Sequence, residues 1–382
     1  MNNNTTPYWR LSGFYFFYFA SLGALVPYWS VYLKSLGFNY AEIGELFAIL
    51  VVTKVIAPNI WGWIADHKGK RMMIVRLGSF LAAVAFIGIF FGSSYWWIAL
   101  IMSVFSFFWN AVLPQFEATT MTHMKDEPHR YSSIRLWGSV GFIVAVAALG
   151  PVLEEYGSNL LPSFLFILVA GIWLMSLVVP ESAAGHLPIT HERLRNVLLR
   201  PEVAGLLIAS FLMQASHGPY YTFYTIYMED NGYSRTVVGQ LWALGVLAEI
   251  GIFMFMHKLV PRFGLRNLLL SAFLLTALRW ILTGSFVESL TIMIFAQVLH
   301  AASFGIFHAC TIQLIHRFFK GKHQGKGQAL YSSISFGAGG AVGSLYGGYI
   351  GEGMGPEYAY FVSAAICVVA FVISWKMIEP KI

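Results

Sequence analysis

Long apolar runs alternate with short polar interruptions along the whole chain. The runs are continuous and of the order of 20 residues, the length a helix needs to cross the hydrocarbon of a bilayer. They do not alternate apolar and polar positions in ten-residue stretches, as barrel strands do, and only helices or closed barrels satisfy their backbone inside lipid. Cutting at the interruptions predicts spans near 11–33, 41–65, 72–92, 95–122, 134–153, 161–180, 202–227, 236–258, 267–287, 289–316, 328–350 and 358–376. The predicted fold class is therefore an all-α membrane protein of twelve transmembrane helices. The segment 11–33 is too long for a signal core and is followed by no small-residue cleavage site, so it is expected to remain as the first span.

Composition agrees with the pattern. Charged residues make up 11% and mean hydropathy is +0.65, whereas soluble domains carry about 25% charged residues. Two cysteines, Cys310 and Cys367, lie inside apolar runs and imply neither a disulfide framework nor a metal cluster. If both termini are cytoplasmic, 20 of the 24 Lys and Arg fall in inward-facing segments, with Lys34 and Arg235 outside. That is the positive-inside bias. The net charge of +6 then records topology, and no nucleic-acid partner is needed to explain it.

The pattern also repeats. "WSVYLKSLGFNYAEIGELFA" from Trp29 matches "YTIYMEDNGYSRTVVGQLWA" from Tyr224 at an offset of 195, which also carries Gly69 onto Gly264 and Arg71 onto Arg266. Two homologous six-helix halves are expected: an N-terminal bundle over 1–180, a cytoplasmic linker over 181–201 and a C-terminal bundle over 202–382. Parallel repeats of this kind are a transporter architecture, with the substrate site expected near the midplane.

Between the second and third spans the chain reads "GWIADHKGKR", Gly62 to Arg71. This stretch resembles the loop signature of the major facilitator superfamily, Gly-x-x-x-Asp-x-x-Gly followed by two basic residues. The resemblance implies the major facilitator fold, two pseudo-symmetric six-helix bundles, and a gating loop of Gly62, Asp66, Gly69, Lys70 and Arg71. Gly62 would permit close helix approach, and Asp66 would pair with a basic group or a helix N-terminus. "PQFEATT" with Glu117 and "IRLWGSVG" with Arg135 resemble the carboxylate and arginine pair of the oligosaccharide:proton symporters of lactose permease type. "VPYWSVYLKSLG", "QASHGPYYTFYTIY", "LWALGVLAE" and "QVLHAASFGIFH" are similar to the bacterial 3-phenylpropionate permease branch.

Charged groups near the bilayer centre cost about 2.5–3.5 kcal/mol each even on lenient scales, so each is a functional candidate. Lys54, Glu117, Glu249 and Arg279 stand in the spans. Lys54 and Glu249 are equivalent under the 195-residue offset and would form either a breakable ion pair or a fixed structural one. Arg279 matches an arginine of the lactose permease pattern and is alternatively a partner of Glu249. His217, in "SHGPYY", His300 and His308 are candidates for proton exchange, because an imidazole titrates near physiological pH. Gly218 and Pro219 are expected to break the seventh helix beside His217. In the lactose permease pattern a glutamate follows the tenth-span histidine by one turn, and Ser303 stands there instead. Glu249 is therefore the candidate proton carrier, with Arg279, His300 and His308 as coupling partners. Tyr28, Tyr220, Tyr221, Tyr224 and Trp242, with His217, Lys54, Glu117 and Arg135, make up the expected substrate site. Rings beside cations suit an aromatic carboxylate.

These features predict a proton-coupled importer of a small aromatic acid in a bacterial inner membrane, both termini cytoplasmic, working as a monomer with substrate, protons and the lipid bilayer as its partners. A sugar or nucleoside symporter is the alternative within the same class. Drug export fits less well, because Gly150-Pro151 is followed by Val152 and Leu153 in place of the paired glycines of the antiporter signature. An intramembrane enzyme finds no GxSxG, HExxH or phosphate loop in the sequence, and no cofactor or metal is expected.

Overall fold

The computed structural model describes residues 6–124, 130–181, 194–320 and 323–379. Most of the expected linker, 181–201, falls outside these residues, as does the side chain of Asp66. The described chain is helical throughout its long segments. They are α1 (Tyr8–Ser35), α2 (Tyr40–Lys68), α3 (Arg71–Ile87), α4 (Tyr95–His123), α5 (Tyr131–Tyr156), α6 (Leu161–Val178), α7 (Pro201–Asp230), α8 (Arg235–Phe263), α9 (Leu265–Ser285), α10 (Leu290–Phe318), α11 (324–353) and α12 (Pro356–Met377). Ten of them are long and apolar enough to cross a membrane. The other two, α7 and α11, are of comparable length but more polar, with Gly218 and Pro219 adjacent in α7 and a glycine-rich run in α11.

The repeat is visible in the backbone. Helix α2 and helix α8 are each 29 residues long and begin 195 residues apart, as do α4 and α10, and α6 and α12 begin at the same offset. Among the described residues six glycines have positive φ and fall into three pairs, one of each pair in either half: Gly37 with Gly232, Gly69 with Gly264, Gly157 with Gly355. Each closes the corresponding inter-helix turn, where a side chain would be strained.

Two compact units result, one of Met1–Gly37 with Thr53–His186, the other of Phe38–Val52 with Leu187–Ile382. In the first, α1 and α5 cross closely enough that Gly23 faces the backbone of Phe142 and Gly141 that of Phe16. Arg76 donates to the carbonyls of Ser176 and Val179 at 3.3 and 2.8 Å, satisfying groups that the end of α6 leaves without helical partners. Both carboxylate oxygens of Glu181 accept from the Met72 N–H at 3.1 Å, capping α3.

In the second unit Arg266 repeats the Arg76 device, donating to the carbonyls of Ile378 and Trp375 at 2.7 Å each. The opening of α2 belongs here: the Tyr40 hydroxyl donates to Asp230 Oδ2 and its N–H to Glu352 Oε2, both at 2.9 Å, and the Tyr349 hydroxyl donates to Glu45 Oε1. Gly218 and Pro219 do not break α7, contrary to the sequence expectation; the helix runs unbroken from Pro201 to Asp230. Proline removes the N–H that would have reached the Ala215 carbonyl one turn earlier. That carbonyl accepts instead from the Tyr346 hydroxyl of α11 at 3.1 Å. A Cβ on Gly218 would run into the backbone of Gly343, so this glycine serves the α7–α11 contact rather than flexibility.

Candidate functional site

A buried polar network lies inside the second unit. Arg279 on α9 is fully buried, and its Nη1 donates to Ser303 Oγ at 2.9 Å and reaches His300 Nδ1 at 3.0 Å. Its Nη2 donates to Gln297 Oε1 at 3.2 Å. Its guanidinium lies 4.2 Å from the Tyr220 ring centre and 4.5 Å from that of Trp280, so two ring faces share its charge. On the far side of the imidazole, His300 Nε2 stands 3.7 Å from Glu249 Oε2.

The chemistry of the donors fixes the state of the histidine. An arginine only donates, so His300 Nδ1 must present its lone pair. In that state His300 is neutral and its proton sits on Nε2, facing the carboxylate. Arg279, His300 and Glu249 thus stand in a line, with the imidazole N–H toward the carboxylate. Two glycines let α8 and α10 close on it: a Cβ at Gly245 would touch Gln297 and His300, and one at Gly305 would meet Ile252 and come within 3.6 Å of Glu249 Cγ.

Aromatic rings stand against this line. Tyr220 lies 4.4 Å from Trp242 and 5.0 Å from Tyr224 between ring centres, and Tyr221 stacks on Trp242 at 6.3 Å. The Trp242 Nε1–H donates to Thr225 Oγ1 at 3.1 Å. His217 reaches the Met213 carbonyl through Nδ1 at 2.8 Å and stacks on Tyr221. Its Nε2 and the Tyr224 hydroxyl are buried with no hydrogen-bond partner among the described residues.

The first unit holds a second constellation. Arg135 Nε stands 3.8 Å from Glu117 Oε1, and both side chains keep 32% of their surface exposed. The guanidinium lies 3.9 Å from the Phe19 ring centre. At that separation the pair is a loose one, with room for a competing carboxylate. Lys54 also belongs to this unit, half-buried on α2.

Several sequence-predicted residues sit elsewhere than expected. The Tyr28 hydroxyl is committed to the Val146 carbonyl at 2.7 Å in a fully buried position, which is a packing role. His308 bonds through Nδ1 to the Tyr331 hydroxyl at 3.0 Å and is separated from His300 by the Phe304 ring, which stacks on both. Gly62 and Asp66 lie within α2, not in a loop; the turn is confined to Gly69 and Lys70, and Arg71 already opens α3. Gly62 is not a close-approach glycine, because a Cβ there would make only an ordinary 3.4 Å contact with Gln115 Nε2. Gly69, at φ +65°, is required by the turn.

Residues 8–362 match the model of the MFS_1 like family. The chain belongs to this family of the major facilitator superfamily. Among curated relatives of this MFS protein, the probable 3-phenylpropionic acid transporter of Escherichia coli is 29% identical over 95% of this chain and 96% of its own length. The maltose permease of Geobacillus stearothermophilus is 26% identical over 96% and 93%. A crystal structure of the nucleoside transporter NupG superposes with a TM-score of 0.80 at 16% identity, covering 99% of this chain and all of that one, which bears on the fold alone. The protein is a multi-pass membrane transporter of the major facilitator type, and family and relatives alike are transporters rather than enzymes.

Within this MFS fold the internal repeat separates function from packing. The positions on α4 in register with Gln297 and His300 of α10 are Met102 and Phe105, both buried, with Phe105 edge-on to Phe86 at 5.1 Å. The same architecture therefore packs with apolar side chains at these places, and the polar set in the second unit is not demanded by the fold. Gln297 escaped the sequence reading because an uncharged amide in an apolar run is a weak signal; its spacing of three from His300, on one helical face, is the pattern that marks it. Also beyond sequence reach are the π-helical turns at Ala301–Ile306 in α10 and Ser333–Gly339 in α11, a distortion frequent at functional sites.

Proposed function

We propose that this transporter carries a small aromatic carboxylate of the 3-phenylpropionate kind into the cell together with a proton, from a bacterial inner membrane in which both termini are cytoplasmic, and as a monomer. The observation that carries the proposal is the line Arg279–His300–Glu249, with a neutral imidazole whose proton faces a carboxylate. Symport needs one group that is loaded from one side and emptied to the other, and Glu249 is the acid in that line. Loading neutralises it and frees His300 from its charge; unloading restores both. The rings of Tyr220, Tyr221, Tyr224 and Trp242 supply apolar faces for an aromatic substrate. Within the first unit Arg135, held loosely by Glu117 and half open, is a cation suited to engage a carboxylate. The phenylpropionic acid relative supports the substrate class, and the maltose permease relative makes a sugar the second reading.

Uptake into proteoliposomes under an imposed pH gradient, with a panel of aromatic acids, sugars and nucleosides, tests the substrate. Glu249→Gln tests the coupling. It mimics the permanently protonated acid, so it is expected to exchange labelled 3-phenylpropionate across the membrane at near the wild-type rate and to fail to concentrate it. Full gradient-driven accumulation by this variant excludes Glu249 as the carrier; loss of exchange as well makes the residue structural.

A further inference from the structure

Gln297 touches both the aromatic cluster and the proton line. It is buried on α10, and its Oε1 accepts from the Tyr220 hydroxyl at 3.0 Å and from Arg279 Nη2 at 3.2 Å. Because Arg279 only donates, the amide oxygen must face it, and the orientation of the side chain is settled. Gly245 on α8 leaves room for this oxygen: a Cβ there would lie 3.3 Å from it.

The three acceptors around Arg279 are Gln297 Oε1, Ser303 Oγ and His300 Nδ1, and all are neutral. A buried guanidinium among neutral acceptors turns toward a carboxylate if one comes within reach. Glu249 lies just beyond the imidazole. What holds Arg279 at Nδ1 is therefore the pair of anchors on either side, Gln297 on Nη2 and Ser303 on Nη1. Other ionisable groups near the line, among the described residues, include His217, Tyr221 and Tyr224 from α7, Tyr220 itself, His308 along α10, and Tyr360 and Cys367 from α12. None of these is an acid that substitutes for Glu249.

We propose that Gln297 is a positioning residue for coupling: it keeps Arg279 donating to His300, so that the imidazole proton faces Glu249, and it ties that arrangement to the Tyr220 ring. A substrate that displaces Tyr220 disturbs the amide, and the amide disturbs the arginine. Substrate occupancy and proton loading are thereby linked through one oxygen atom. The proposal rests on the proton-coupled reading above.

The test compares Gln297→Leu and Gln297→Glu in proteoliposomes, with 3-phenylpropionate as the probe, by exchange and by accumulation across a pH series. Leucine removes the anchor, so Arg279 turns to Glu249 and holds it ionised. Accumulation is expected to fall about tenfold with exchange largely kept, and the pH profile to move about one unit toward acid. Glutamate hands Arg279 an anion and places negative charge beside His300, so the profile is expected to move toward alkaline pH. Opposite shifts are what a merely structural amide would not give. Wild-type profiles in both variants, or shifts in one direction, overturn the proposal. Should Gln297→Leu fail to reach the membrane, the near-isosteric Gln297→Glu decides by itself: an alkaline shift supports the proposal and an unmoved profile overturns it. A wild-type protein that does not accumulate 3-phenylpropionate overturns the transport reading and this inference with it, whereas accumulating wild type with unaltered variants overturns only the inference.

Discussion

Arg135 and Arg279 are both arginines in a membrane span, yet their surroundings assign them different work. Arg279 is sealed among neutral acceptors and ring faces, whereas Arg135 is half open beside a carboxylate 3.8 Å away. A buried cation with fixed partners orients; an open one with a loose partner is free to exchange it. Arg135→Gln is therefore expected to weaken substrate binding by tenfold or more, about the value of one charge-assisted pair. Glu117→Gln, which leaves the cation without its competitor, is expected to change affinity in a pH-independent way. Equilibrium binding of labelled substrate to purified protein measures both, and wild-type affinity in Arg135→Gln contradicts the assignment. The charged members of the site were legible in the sequence because ionisable groups in apolar runs are costly and so conspicuous. Gln297 was not, since an amide costs less, and Tyr28 misled because nothing in the sequence reveals that the Val146 carbonyl waits for its hydroxyl.

Helices were legible as apolar runs, and α7 shows where that legibility stops. Gly218-Pro219 reads locally as a break, but the missing bond is replaced by Tyr346, a residue 131 positions away from Ala215. Long-range repair of this kind leaves no local trace. It does leave an energetic one. Tyr346→Phe strands the Ala215 carbonyl and is expected to cost about 1–3 kcal/mol. Pro219→Ala restores the helical N–H, so the same tyrosine substitution in that background is expected to cost clearly less. Thermal unfolding of the four proteins in detergent gives the coupling energy, and additive effects show that the hydroxyl acts through Ser363, its other partner at 2.8 Å, instead. The π-helical turns in α10 and α11 belong to the same class: they answer to packing, which no single run of sequence encodes.

At the scale of the molecule the internal repeat was legible in the turn glycines and is seen in matching helix starts. It was equally legible that the halves had diverged, for Lys54 stands in register with Glu249. Gln297 and His300 occupy one copy, and Met102 and Phe105 fill the corresponding places of the other. This asymmetry has a consequence for the electrical work of transport. On the symport reading proposed above, with Glu249 as the acid that is loaded, one turnover would move one proton, and an aromatic carboxylate would bring one negative charge with it. The two cancel, so the membrane potential, which acts at about 2.3 kcal/mol per charge per 100 mV, finds no net charge to drive. In proteoliposomes a potassium diffusion potential alone is expected to produce no accumulation of 3-phenylpropionate, while a pH gradient alone suffices. Uptake that rises with voltage at constant pH would mean that a second charge crosses with the first, and Glu249 alone would no longer account for the stoichiometry.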